Sequence, residues 1–191
     1  MHAIRRFLAA IAVMTPALAI SPASAALFDV YAFANSSGGG SGVATVTLTA
    51  GQAFSVSVDP NDLWSAGALP RWSNADGLVT SLLAAGSDDS GEAAGTLIGD
   101  DIFGAWTQDG FTTAFGKLVG VIGSSHIAIG TSFSGVAPES GVLLLYYWDS
   151  NFADNSEKIT ADVNAIPEPG AYLLVLAGLG ALMFRRMTRN S

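Results

Sequence analysis

Four carboxylate or amide side chains fall in one seven-residue stretch, Asp149-Ser150-Asn151-Phe152-Ala153-Asp154-Asn155. A hard divalent cation such as calcium draws its ligands from carboxylates, side-chain amides and carbonyls, and a tight loop of this composition offers all three. Asp149, Asn151, Asp154 and Asn155 are therefore the candidate metal ligands. The stretch is not an EF-hand, because the helical flanks, the central Gly and the closing Glu are missing. The same residues also suit a polar connecting loop, since Asp and Asn accept local backbone hydrogen bonds and tolerate left-handed conformations. Spacing alone leaves both readings open.

Other chemistries are weaker. With no cysteine in 191 residues, disulfides, thiolate metal sites and cysteine nucleophiles are excluded together. No nucleophile elbow accompanies the abundant Ser and Asp. The pairs Asp88-Asp89 and Asp100-Asp101 lie in Gly-rich stretches rather than a cleft that could hold two carboxylates at a working separation. His126 sits on an alternating stretch and reads as an exposed strand histidine. Trp64, Trp72 and Trp106 could stack on sugar rings or fill a core. Gly38-Gly39-Gly40 has no following Lys and is not a phosphate loop. No catalytic residue is assigned, and the chain reads as a non-enzyme.

Half of the residues are hydrophobic and only 13% charged, which excludes intrinsic disorder as the main state. The elements that would position the acidic loop are strands. Val46 and Leu48 alternate with Thr45, Thr47 and Thr49, and Phe54, Val56 and Val58 with Ser55 and Ser57, on either side of Ala50-Gly51-Gln52. That pattern predicts a hairpin with one buried face. Further strands are expected at 118–122, 126–129, 142–148 and 158–163, the run Val142 to Trp148 reading as a central strand buried on both faces. Residues 76–115 read as a long excursion, with one or two strands around 96–103 and a turn of helix. The fold class that follows is all-β, an antiparallel jelly-roll-like sandwich.

The ends differ from the body. Arg5 and Arg6, an apolar run from Phe7 to Ile20 and the small-residue site Ala23-Ser24-Ala25 make a secretory signal peptide with cleavage after Ala25. At the other end Pro167, Glu168 and Pro169 precede an uncharged apolar segment, Ala171 to Phe184, and then Arg185, Arg186 and Arg189. An apolar segment followed by arginines stops translocation with the cationic tail inside. Three units result: 1–25, a signal peptide; 26–165, the β body; 166–191, a sorting segment with an apolar helix. Five of the eight basic residues belong to the ends, so the body keeps three against fifteen acids, a formal charge of −12. Phosphate binding depends on Lys and Arg, so a nucleic-acid partner is excluded.

The C-terminal trio of Pro-Glu-Pro, apolar segment and Arg cluster resembles the PEP-CTERM sorting signal of Gram-negative bacteria. The resemblance implies exosortase and the export machinery as partners, transient tethering in the inner membrane, and delivery to the outer surface or the extracellular polysaccharide or biofilm matrix. The acidic loop in turn is similar to the D-x-N-x-x-D-N-S loop of bacterial calcium-dependent galactophilic lectins, as is Phe115 to Gly123 to one of their strands and Ser140 to Tyr147 to another. That likeness implies calcium bridging protein and sugar, with Asp149, Asp154 and Asn155 as side-chain ligands, a carbonyl from Asn151 and another near Ala66 or Gly67. Glu157 stands where that family usually has Gly, and its additional sugar-contacting His and Gln have no counterpart. The expected function is calcium-dependent carbohydrate binding by an exported protein; the alternative is a structural matrix protein with a lectin-like fold and no ligand.

Overall fold

The computed structural model describes residues 24–166 and 179–180. The signal peptide up to residue 23, the Pro167-Glu168-Pro169 motif and the Arg185, Arg186 and Arg189 tail lie outside the described residues, and so do both flanking helices except for helical residues 179–180. No helix among the described residues is long and apolar enough to cross a membrane.

The body is all-β, and every pairing between its named strands is antiparallel. In one sheet β12 (Ser132–Val136), β3 (Ala53–Val58), β14 (Ser156–Ala165), β4 (Trp64–Ser65) and β5 (Trp72–Ser73) follow in order, and β1 (Ser24–Tyr31) lies along β14. The second sheet runs β11 (Ser125–Ala128), β10 (Leu118–Ile122), β13 (Gly141–Tyr147), β2 (Val43–Leu48). Two short pairs, β6 (Leu82–Leu83) with β7 (Leu97–Gly99) and β8 (Ala105–Gln108) with β9 (Phe111–Ala114), complete the described strands. The core between the sheets joins Val30, Phe54, Val56, Trp64, Ile159 and Val163 of the first to Leu48, Leu118, Ile122, Leu143, Leu145 and Tyr147 of the second. Each such side chain withdrawn from water contributes roughly 1.5–3 kcal/mol. A smaller cluster of Leu63, Ala84 and Ile98, with Trp72 and Leu82 against it, closes the excursion onto the first sheet.

Three expectations need correction. The alternating stretches 43–48 and 53–58 are strands, but they are not a hairpin: β2 pairs with β13 and β3 with β12 and β14, in different sheets. Alternation reports that one face is buried, and two strands facing each other across a sandwich satisfy that as well as two neighbours do. Strand β13 is central in its sheet but buried on one face only. Leu143, Leu145 and Tyr147 are buried, whereas Val142 remains 40% exposed and Leu144 and Tyr146 half-buried on the outer face. The 76–115 excursion contains four short strands and no helix.

Tyr147 packs edge-on against Trp64, ring centroids 4.5 Å apart, at the centre of the sandwich. Its hydroxyl is buried without a hydrogen-bond partner among the described residues, and burial pushes its pKa well above the ordinary tyrosine value. A buried hydroxyl left unpaired costs about 1–3 kcal/mol, so the ring stabilises and the oxygen does not. Denaturant titration should find Tyr147→Phe as stable as the parent or more so, and Tyr147→Ala weaker by about 3–5 kcal/mol.

Candidate functional site

The acidic loop joins β13 to β14, and two neighbouring segments hold it. Tyr147 N–H donates to the Asn35 carbonyl, and Ser37 N–H donates to the Tyr147 carbonyl. Ser37 Oγ donates to the Asp149 carbonyl at 2.9 Å and accepts from the Asp149 N–H at 3.0 Å. The glycines that carried no phosphate-loop logic make this contact possible. A Cβ on Gly38 would stand 2.7 Å from the Asp149 carbonyl oxygen, and one on Gly39 2.6 Å from the Phe152 ring. On the other side Ser156 and Glu157 of β14 pair with Ser65 and Trp64 of β4, which delivers Ala66 and Gly67 beside Asp154. A Cβ on Gly67 would lie 2.5 Å from Asp154 Oδ2.

These contacts bring the four sequence candidates into one place with the carbonyl expected after Trp64. Asp149, Asn151 and Asp154 line a cleft of about 120 Å³ together with Ala66, Arg71, Phe103 and Phe115. Asn155 stands directly behind it, 6% exposed, with its amide nitrogen donating to the Ala32 carbonyl at 3.1 Å. Its Oδ1 is buried and has no partner among the described residues. Asp149 is 5% exposed, and burial raises its carboxyl pKa despite the Asn155 side chain and the Ser150 and Asn151 N–H groups nearby. The buried Asp149 carboxylate lines the cleft, and the orphaned Asn155 Oδ1 belongs to the same loop; oxygen donors of this kind suit a hard cation.

Sequence reasoning missed Arg71. Its guanidinium reaches Asp154 Oδ2 at 3.1 Å and the Ala66 carbonyl at 3.5 Å, and lies 5.2 Å over the Phe103 ring. A protein cation therefore already contacts two of the expected calcium ligands. Asn151 is turned inward as well: its Nδ2 donates to Asp154 Oδ1 at 3.2 Å, and its Oδ1 accepts from the Ala153 N–H. Among the described residues no three His, Asp or Glu side chains converge as a metal cluster, which leaves two carboxylates plus amide and main-chain oxygens as the donor set. Glu157 keeps a left-handed backbone, φ 64°, the conformation that a Gly would take without strain.

The remaining candidates separate. Trp64 is a core residue, fully buried, while Trp72 and Trp106 are half-buried. Asp88 and Asp89 border a hollow of about 280 Å³ with Leu63, Leu82 and Leu83, but Asp88 accepts from the N–H groups of Ala85 and Ser90 and Asp89 from that of Leu63, while Asp100 accepts from the Ser81 hydroxyl and the Asp101 N–H. His126 is not a plain exposed strand histidine. It is half-buried and stacked on Phe111, ring centroids 5.5 Å apart and 20° between planes.

The antiparallel β body thus carries a clamped, oxygen-rich loop at one end. No protein-family profile matches the chain, and no curated protein matches it. Among solved structures it is similar to one described as the EclA N-terminal domain, a PllA-like lectin. The two share 16% identity over 73% of this chain and 95% of that one, with a TM-score of 0.45. It is a likeness of chain course alone.

Asp149 supplies a test of the site's electrostatics. Because its folded pKa is raised above the ordinary 3.8, its protonated form favours the folded state. That contribution is complete below pH about 3.8 and is lost as pH rises through the folded value. In the absence of divalent cations, thermal unfolding should show Asp149→Asn more stable than the parent at pH 7, with the advantage shrinking towards pH 4.

Proposed function

We propose that this chain is an exported, non-enzymatic surface or matrix protein whose jelly-roll-like body binds carbohydrate at the Asp149–Asn155 loop with calcium as cofactor. The observation that carries this reading is the buried Asp149 carboxylate in one cleft with Asp154 and Ala66, in a loop whose Asn155 Oδ1 is buried and unpartnered. Asp149, Asp154 and Asn155 with the carbonyls of Asn151 and Ala66 would hold the ion. When bound, calcium supplies a charge-dense centre to which neutral sugar hydroxyls can attach. The chain's own residues then do three things: Asn155 fixes the loop to Ala32, Ser37 fixes the Asp149 backbone, and Phe103 and Phe115 give the cleft an apolar wall.

Arg71 favours the alternative. A guanidinium between Asp154 and Ala66 neutralises the loop from within, as a structural matrix body with no ligand would need. One titration separates the two readings. If calcium binds, Tm rises with its concentration, the rise disappears in Asp149→Asn, and Arg71→Ala strengthens binding by up to about fivefold because the competing exposed ion pair is removed. No response to calcium in either the parent or Arg71→Ala would establish the structural reading.

The proposal of export by exosortase rests on the terminal motifs. Ser24 of β1 lies opposite Ala165 of β14, so both apolar segments leave the body at the same end. Cleavage after Ala25 would still leave residues 26–31 paired with β14. The acidic loop sits at the opposite end of β14, ten residues and about 30 Å away. Deleting residues 167–191 should release soluble protein into the periplasm, measured by fractionation; surface retention of the truncated chain would overturn the sorting assignment.

A further inference from the structure

A second, larger concavity shares no lining residue with the acidic cleft, although Trp148 and Asp149 are consecutive. It is a groove of about 500 Å³ on the outer face of β10 and β13, within the roughly 300–1,000 Å³ typical of small-molecule sites. The strand pattern already calls for explanation there. A sheet with one face in water should carry polar residues outward, yet β13 and its continuation turn Val142, Leu144, Tyr146 and Trp148 to that side. At the Trp148 end the β8–β9 hairpin covers the excess. Phe111 meets the indole edge-on at 5.4 Å, and Trp148 Nε1 donates to the Trp106 carbonyl at 3.0 Å. Tyr146 is not covered: its ring rests on Gly42, where a Cβ would come within 2.5 Å, and it borders the groove.

The polar groups around these rings are fixed in place. Gln108 bridges the hairpin to the glycine loop, donating to the Ser37 carbonyl at 3.1 Å. Asp109 and Gly110 form the hairpin tip with φ 51° and 78°, the pair of left-handed residues that a two-residue turn demands, so the Asp109 carboxylate is held at the rim. His126 stands between Phe111 and Trp148. Neither its ring nitrogens, nor the Tyr146 hydroxyl, nor the Asp109 carboxylate has a protein hydrogen-bond partner among the described residues. The groove thus offers aromatic surface alternating with unused donors and acceptors.

We propose that this groove is a metal-independent binding site for a neutral saccharide. A sugar ring presents C–H faces to aromatic rings and hydroxyls at its edges to groups such as an imidazole, a phenol and a carboxylate. None of the body's three basic residues lines the groove and Asp109 does, so an anionic ligand is disfavoured. A purely apolar ligand would strand the polar groups at a desolvation cost. The site does not depend on the calcium reading of the Asp149 loop.

The test titrates the full-length chain, held in detergent and a calcium chelator, with maltotetraose, cellotetraose and galactotetraose while tryptophan fluorescence is followed. At least one should give a saturable change. Binding should weaken about tenfold or more in His126→Ala and in Tyr146→Ala, weaken measurably in Tyr146→Phe, which keeps the ring, and stay unchanged in Asp149→Asn. Thermal unfolding of each variant shows whether it is folded. No saturable change with any of the three, binding that vanishes in chelator or in Asp149→Asn, or unaltered binding by folded His126→Ala and Tyr146→Ala would each overturn the proposal. Calcium titration of chelator-free samples of the same variants reports on the acidic loop separately, so either site can fail without the other.

Discussion

Strand β14 is the element on which the other parts depend. Its residues Lys158 to Ala165 pair with β1 on one side, Ala161 to Ala165 with β3 on the other, and Ser156 and Glu157 with β4. The last of these pairings is only two residues long, yet it brings Ala66 and Gly67 to Asp154. One end of the strand therefore belongs to the acidic loop and the other to the point where both chain ends leave the body. A shift of one residue in its register would turn Ile159, Ala161 and Val163 out of the core and Thr160 and Asp162 in. Core burial therefore holds the geometry of the cleft in place.

With no disulfide, the loops rely on packing and on hydrogen bonds to backbone. The acidic loop is clamped by the 35–41 segment through Ser37 and through glycines at which a Cβ would come within 3 Å of the loop. The energetic tension lies inside the loop: Asn155 Oδ1 is buried without a partner, and burial raises the Asp149 pKa despite its hydrogen bonds. Arg71 relieves Asp154 but is not among the causes that shift Asp149. Under the proposed calcium reading, a loop held by its surroundings and short of positive charge at its buried side would need little rearrangement to take a cation.

Most of the strands could be read from alternation, because a strand in a sandwich must separate its buried and wet faces residue by residue. The partners of those strands could not. The 43–48 and 53–58 stretches look like a hairpin in one dimension and lie in opposite sheets in three. The run from Val142 to Trp148 misled for a related reason: apolar residues on the outer face signal burial, and here part of that face borders a groove instead. His126, read as an ordinary exposed strand residue, gains its setting from Phe111 on a hairpin in the least legible part of the chain.

What the sequence determined by itself was local: a cysteine-free acidic body, its β class, apolar terminal segments flanked by arginines, and four carboxylate or amide residues close enough to share one loop. Proximity along the chain guarantees proximity in space, so these required no fold. Tertiary structure alone decided what faces that loop. Arg71 lies 83 residues from Asp154, and the Ser37 clamp lies 112 residues from Asp149. Such contacts depend on which strands pair and in what register, and that is set by the burial of the whole core, which no single stretch of sequence encodes.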